Sequence, residues 1–181
     1  MGEFRLETER FVLRDWREDD LDDLFSINSD PVVTATIGPL QARAAAEASL
    51  NRLMARSVRD GHTLWALERK SDGRVIGFCG IVTGTVPHIE QELEIGWRLA
   101  PDCWGQSYAR EAAQAVLAWF AAHRPGRRLY AITAATNVRS WGLMERLGMT
   151  RDPSMDFEYE GPSLPEGSPL RPHVTYWLDP L

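Results

Sequence analysis

The sequence predicts a single α+β domain built on a mostly antiparallel central sheet. Three observations point there. The 181 residues suit one domain, and 44% hydrophobic with 25% charged residues is enough to bury a real core. The hydrophobic period switches between helical and two-fold along the chain. No repeat, low-complexity tract or linker divides it. The elements run β-α-α-β-β-β-α-β-α-β-β, which gives about seven strands and four helices.

Phe11-Val12-Leu13-Arg14 reads as a short strand after the loosely patterned Phe4-Arg5-Leu6. Asp19 to Phe25 follows, with carboxylates suited to a helix first turn and Leu21, Leu24 and Phe25 as its apolar stripe. Its four aspartates fit a solvated helix start better than a cation site. Residues 41–59 form the second helix, with Ala46, Leu50, Leu53, Met54 and Val58 at helical spacing and Asp60-Gly61 as its stop. Then the period changes. Thr63 to Glu68 is a strand, Ser71-Asp72-Gly73-Arg74 a hairpin turn, and Val75 to Val82 a continuous apolar strand covered on both faces. Thr83 to Ile89, with Gly84 and Pro87, is a loop.

Gln91 to Leu99 is the next strand. Leu93, Ile95, Trp97 and Leu99 face one way, and Glu92, Glu94, Gly96 and Arg98 face the other, a polar face that marks either a cleft or solvent. Gly105 to His123 is the strongest helix, with Ala109, Ala112, Ala113, Val116, Leu117 and Phe120 as its stripe. Arg128 to Ala135 is a strand. Asn137 to Leu147 is a helix with Asn137 as N-cap and Gly148 as C-terminal cap. Met149-Thr150-Arg151 is a short strand, residues 153–172 a long Pro/Gly-rich loop, and Val174 to Leu178 the closing strand.

The net charge of −6 argues against nucleic acid as a partner. No apolar run approaches the roughly 18 residues of a membrane span. The start, Met1-Gly2-Glu3-Phe4-Arg5, has no apolar signal core, and only Cys79 and Cys103 are thiols; a cytoplasmic protein is expected. His62, His88, His123 and His173 show no zinc spacing, so no metal is expected.

The stretch Pro101 to Ala112 is the chemical focus. A strand feeds a turn holding Gly105 and the small residues Ser107 and Ala109, and the turn opens a helix. Free N–H groups of a first helical turn, with the helix dipole behind them, can bind phosphate. Most such connections bind nothing, and the stretch alone leaves both readings open.

Set in its context, the chain resembles the GNAT superfamily of acetyl-CoA-dependent N-acetyltransferases, and within it the RimJ/RimL-like branch. The resemblance rests on Glu94-Ile95-Gly96-Trp97-Arg98-Leu99, on Pro101 with Trp104 to Ala112, and on Asn137-Val138-Arg139-Ser140 with Met144 to Met149. Thr8 to Arg14, Leu164 to Gly167 and Pro169 to Arg171 share the family look. It implies a GNAT-like sheet splayed between the fourth and fifth core strands. It also implies a cofactor pyrophosphate cradled by Trp104, Gly105, Gln106, Ser107, Tyr108 and Ala109, with Arg110 beyond. The pantetheine arm would pair with the backbone of Trp97, Arg98 and Leu99, and Asn137 would touch it from the other side.

By the same resemblance, Glu94 is the base that deprotonates an attacking amine, with Glu92 as substitute; the competing role for Glu94 is an ion pair with Arg98 or Arg74. The tyrosine that often protonates the thiolate is replaced by Met144. Ser140 stands where this branch implicates a serine, and bonding to its own helix backbone is the competing role. Ser107 replaces the usual glycine, which implies strain if the turn needs φ > 0. The expected partners are acetyl-CoA and an amine, a protein N-terminal α-amine or a small molecule, with a monomer or homodimer as the assembly. The amine would enter between the N-terminal helices and the 153–172 loop, a side made acidic by Glu90, Glu92, Glu94, Asp156 and Glu158. A non-catalytic acyl-CoA-binding module is the rival reading.

Overall fold

The computed structural model describes residues 3–86, 88–161 and 163–180. Nine strands form one mixed, mostly antiparallel sheet: β1 (Arg5–Glu7), β2 (Phe11–Arg14), β3 (Leu64–Arg69), β4 (Val75–Thr83), β5 (Leu93–Leu99), β6 (Leu129–Ala134), β7 (Thr150–Arg151), β8 (Phe157–Glu158) and β9 (Pro172–Leu178). Their order is β1-β2-β3-β4-β5-β6-β9-β7, with β8 also on β9. The helices are α1 (Leu21–Asn28), α2 (Pro31–Thr34), α3 (Arg43–Asp60), α4 (Tyr108–His123) and α5 (Val138–Arg146).

The α+β class and the element order match the sequence reading, and three short elements are additional. β1 and β8 have weak patterns because partly exposed edge segments need no apolar alternation. The single turn α2 is set by Asp30, whose carboxylate accepts from the N–H groups of Val32 and Val33, with Pro31 at the first helical position. One boundary and one stripe position also differ. The strongest helix begins at Tyr108 rather than Gly105, because Gly105 (φ 77°) and Ser107 (φ 61°) both sit in the left-handed region. Val58, placed on the α3 stripe by its spacing, is 75% exposed; Ala46, Leu50 and Leu53 are buried and Met54 packs partly buried against them. Pro87, within the expected 83–89 loop, lies outside the described residues.

β4 is buried from Val75 to Ile81, with α4 against one face and α1 against the other. A Cβ on Gly80 would come within 2.0 Å of the Thr63 carbonyl oxygen, so β3 and β4 approach that closely only with glycine there. One apolar cluster, with Trp16, Leu24, Leu50, Leu53, Ala66, Val75 and Phe78, lies under α1 and α3. The larger one gathers Trp65, Ile76, Ile95, Val116, Phe120 and Leu129 around α4.

The feature that positions the site is the junction of β5 and β6, the fourth and fifth of the predicted strands. They run parallel and pair only through Leu93 with Leu129 and Glu94 with Tyr130. Beyond Glu94 the strands part. β5 stays paired to β4 as far as Leu99, while β6 pairs with β9 from Leu129 to Ala134. The edge of β5 that faces β6 is therefore left without a strand partner over its last residues, and such an edge must find other hydrogen-bond partners.

Candidate active site

A cavity of about 710 Å³ opens at this parting. That is within the range of small-molecule sites, about 300–1,000 Å³. Three walls enclose it. The β5 wall supplies Trp97, Arg98 and Leu99; the following loop and α4 supply Trp104, Gly105, Ser107, Tyr108, Ala109 and Arg110; α5 supplies Asn137 and Ser140. Residues separated widely in the chain thus converge on one cavity. Two do not line the cavity: Gln106 is exposed, its side-chain amide donating to the Asp102 carbonyl at 3.0 Å, and Glu94 lies at the closed end of the β5–β6 junction.

The loop is built to present N–H groups. Trp104 closes a short helical turn by donating its N–H to Pro101, and its indole N–H reaches the Leu99 carbonyl at 2.9 Å. Glu111 N–H returns to the Ser107 carbonyl at 3.0 Å. Between them, the N–H groups of Gly105, Gln106, Ser107, Tyr108, Ala109 and Arg110 have no partner among the described residues. The left-handed turns at Gly105 and Ser107 gather donors of this kind into an anion-binding concavity. Arg110, Arg139 and Arg146 add positive charge to the cavity wall, and none of the three is ion-paired among the described residues. Arg139 lies over the Trp104 ring, 4.8 Å from its centroid.

A brace behind the loop holds this shape. The Glu111 carboxylate accepts from the Thr8 hydroxyl (2.6 Å), the Arg10 N–H (2.9 Å) and Arg10 Nε (2.6 Å), while Arg10 Nη1 donates to the Gln106 carbonyl (3.1 Å). Thr8-Glu9-Arg10 and Glu111 lie in separate sequence motifs, and nothing in their spacing pairs them.

On the third wall, Asn137 caps α5. Its Oδ1 accepts from Ser140 N–H at 3.3 Å and its Nδ2 donates to Thr133 Oγ1 at 3.1 Å. The Ser140 hydroxyl makes no hydrogen bond among the described residues, so its backbone-bonding role is not taken up. Met144 is buried in the core and contributes no proton donor. Val33, Thr36 and Ile37, which sequence reasoning missed, close the cavity on the α2 side. Only the unpredicted turn α2 could have signalled them.

Glu94 pairs with neither Arg98 nor Arg74. Arg74 is engaged by Asp102 at 2.6 Å, and Arg98 Nη1 donates to Asn28 Oδ1 at 2.5 Å. Desolvation pushes the Glu94 carboxyl up to about 7, with Arg56 acting weakly the other way. Burial lowers the Arg98 guanidinium to about 10. The expected acidic entry side is partly neutralised: Glu92 meets Arg127 at 3.3 Å and Asp156 meets Arg151 at 2.5 Å. Among the described residues no cluster of histidine, cysteine and carboxylate side chains could hold a metal ion, and no helix is long and apolar enough to cross a membrane.

Comparison with known proteins agrees with this geometry. Residues 10–150 match the family model described as Acetyltransferase (GNAT) domain. The uncharacterized protein YkkB of Bacillus subtilis (strain 168) is 30% identical over 146 residues, which is 80% of this chain and 84% of that protein. The crystal structure of a GNAT-family acetyltransferase from Bacillus anthracis superposes with a TM-score of 0.78 at 22% identity, over 97% of this chain and 98% of that one. RimL, a ribosomal L7/L12 α-N-protein acetyltransferase solved with coenzyme A, shares the fold with a TM-score of 0.77 at 13% identity, over 97% and 98% of the two chains. The family match spans most of the chain, including the strand, the loop and the α5 start that form the cavity: this protein is an acetyltransferase that belongs to the GNAT family.

Proposed function

We propose that the protein moves an acetyl group from acetyl-CoA to a primary amine by direct attack in a ternary complex. The observation that carries this reading is the run of N–H groups from Gly105 to Arg110 that have no partner among the described residues, continuous with the open edge of β5. Phosphate is the ligand that such a run of donors at a helix start, flanked by arginines, is suited to hold. The residues fit the cosubstrate. The loop would hold its pyrophosphate, and the edge of β5 at Trp97 and Arg98 would pair with its amide-rich arm. The Leu99 carbonyl already accepts from Trp104.

The chemistry then falls to few groups. Glu94, with its carboxyl raised to about 7, accepts the amine proton through water. The amine nitrogen bonds to the acetyl carbon, the C–S bond breaks, and the thiolate takes a proton from the Ser140 hydroxyl, which solvent re-protonates. A β5 N–H near Trp97 to Leu99 faces the developing oxyanion. Glu94 lies three residues, or about 10 Å of strand, before Trp97. That is farther than one water spans, so the proton would travel to Glu94 along a short chain of waters. The acceptor is a protein N-terminal α-amine or a small amine; RimL, of the same fold, carries the first activity in its name.

Thiol release from acetyl-CoA over a panel of amines and peptides tests this. Release that depends on both amine and Glu94 is expected. Acetyl-CoA binding with no release from any amine would return the chain to the non-catalytic acyl-CoA-binding reading.

A further inference from the structure

Arg98 is a cation with no carboxylate partner among the described residues. It is half-buried on β5, opposite Phe78 of β4, with its guanidinium 5.3 Å from the Phe78 ring centroid. Its hydrogen bond to the neutral Asn28 amide is the only one it makes among the described residues, and no carboxylate there pairs with it. Asn28 is itself buried and held by Gln41, with 3.2 Å between their amides. Removing a guanidinium from water without a counter-charge is costly, and Arg donors are a fork that matches a carboxylate. Burial already weakens its hold on the proton.

The placement narrows what the missing anion belongs to. Arg98 shares a strand face with Glu94 and Gly96, and it lines the cavity beside Val33, Thr36 and Ile37 rather than beside the phosphate loop alone. Between the two charged residues stands Gly96, and the Leu64 side chain of β3 lies over it, 3.3 Å from where a Cβ would sit. On the acetyltransfer reading the acceptor enters past the N-terminal helices, and α2 stands among them.

Resting on the acetyltransfer reading above, we propose that Arg98 is a specificity-determining residue that pairs with a carboxylate of the acceptor, so that the substrate is a small amine bearing an acidic group. The acceptor's carboxylate faces Arg98 and Asn28, and its amine is linked to Glu94 through water, because the two residues stand four positions, about 13 Å of strand, apart. A purely cationic amine leaves the guanidinium unpaired and brings a second positive charge near it.

The test compares matched acceptors, amino acids against their amides and decarboxylated amines, by thiol release from acetyl-CoA with the wild-type protein. The carboxylated member of each pair is expected to have the higher kcat/KM, by about 30-fold or more for a buried charge pair. Arg98→Gln should collapse that ratio towards one, and Arg98→Lys should restore it in part, since Lys keeps the charge and loses the fork. Equal kcat/KM within the pairs overturns the proposal and leaves acetyl transfer standing. So does a variant whose KM for acetyl-CoA rises while the carboxylate preference persists, because the guanidinium then serves the cosubstrate's phosphates. No release from any amine overturns the acetyltransfer reading with it. The wild-type comparison tests the carboxylate preference itself even if one variant folds poorly, and Arg98→Lys then serves as the second variant.

Discussion

Arg10 and Glu111, 101 residues apart in the chain, meet at 2.6 Å and join the first hairpin to the helix that carries the phosphate-presenting loop. Burial alone would raise the Glu111 carboxyl, but the Thr8 hydroxyl and both Arg10 contacts outweigh it and hold it below its ordinary value of 4.5. A depressed carboxylate stabilises the fold above its unfolded pKa, and that contribution is lost as pH falls below it. Glu111→Ala is expected to cost about 1–3 kcal/mol at pH 7, which is several degrees of Tm in a chain of this size. The loss should shrink as pH falls through the lowered folded value, where the wild-type carboxylate is protonated too. Thermal unfolding across pH checks this; a pH-independent deficit would show that the brace acts by packing.

Ser107 holds φ 61° and ψ 15° with no side-chain capping bond. A non-glycine residue there carries roughly 1–2 kcal/mol of strain, and glycine would cost about 0.5–1 kcal/mol through unfolded-chain entropy. Strain relief wins narrowly. Ser107→Gly should be neutral to slightly stabilising, with coenzyme A affinity equal or higher, whereas Ser107→Val should lose both stability and affinity. Calorimetric titration with coenzyme A separates the cases, and weaker binding by the glycine variant would mean that the serine hydroxyl donates to the phosphate.

Glu94 links rate and stability in opposite senses. Its folded pKa of about 7 lies above the ordinary 4.5, so the folded state holds the extra proton between those values. Stability therefore falls as pH rises from about 4.5 to 7, and the whole cost of the buried charge is present above 7. Glu94→Gln should be more stable than wild type at pH 8, by about 1–3 kcal/mol, and no different at pH 4. Its kcat should fall about 10²–10⁴-fold, and wild-type kcat/KM should drop as pH goes below about 7. An unchanged kcat in this variant would pass the base role to Glu92.

Ser140 presents a hydroxyl to the cavity that makes no hydrogen bond among the described residues. Ser140→Ala should lower kcat by about 10²-fold if that hydroxyl protonates the departing thiolate. Single-turnover thiol release reads the step directly; a rate equal to wild type would give the proton to solvent.

Much of this was legible in the chain. The periods of residues 64–99, the Gly105–Ser107 turn and the Asn137 cap are local signals, and local chemistry decides them. Glu94 and Arg98 could be placed on one strand face by counting alone. Pairing was not legible. That Arg98 meets Asn28 rather than Glu94 depends on how α1 lies on the sheet, and that Glu111 meets Arg10 depends on the first hairpin crossing behind the loop. Val58 shows the same limit, since helical spacing gives a stripe but not where the neighbouring helix stops covering it. β1 and β8 are held by ladder bonds to their neighbours rather than by an apolar pattern of their own.

The most direct measurement is a crystal structure of the protein soaked with coenzyme A. Pyrophosphate oxygens are expected within hydrogen-bond distance of the N–H groups between Gly105 and Ala109, with the pantetheine arm in the gap that opens beyond Glu94 and Tyr130. Phosphate density away from that loop, or an arm that leaves the β5 edge bare, would contradict the proposed cosubstrate site.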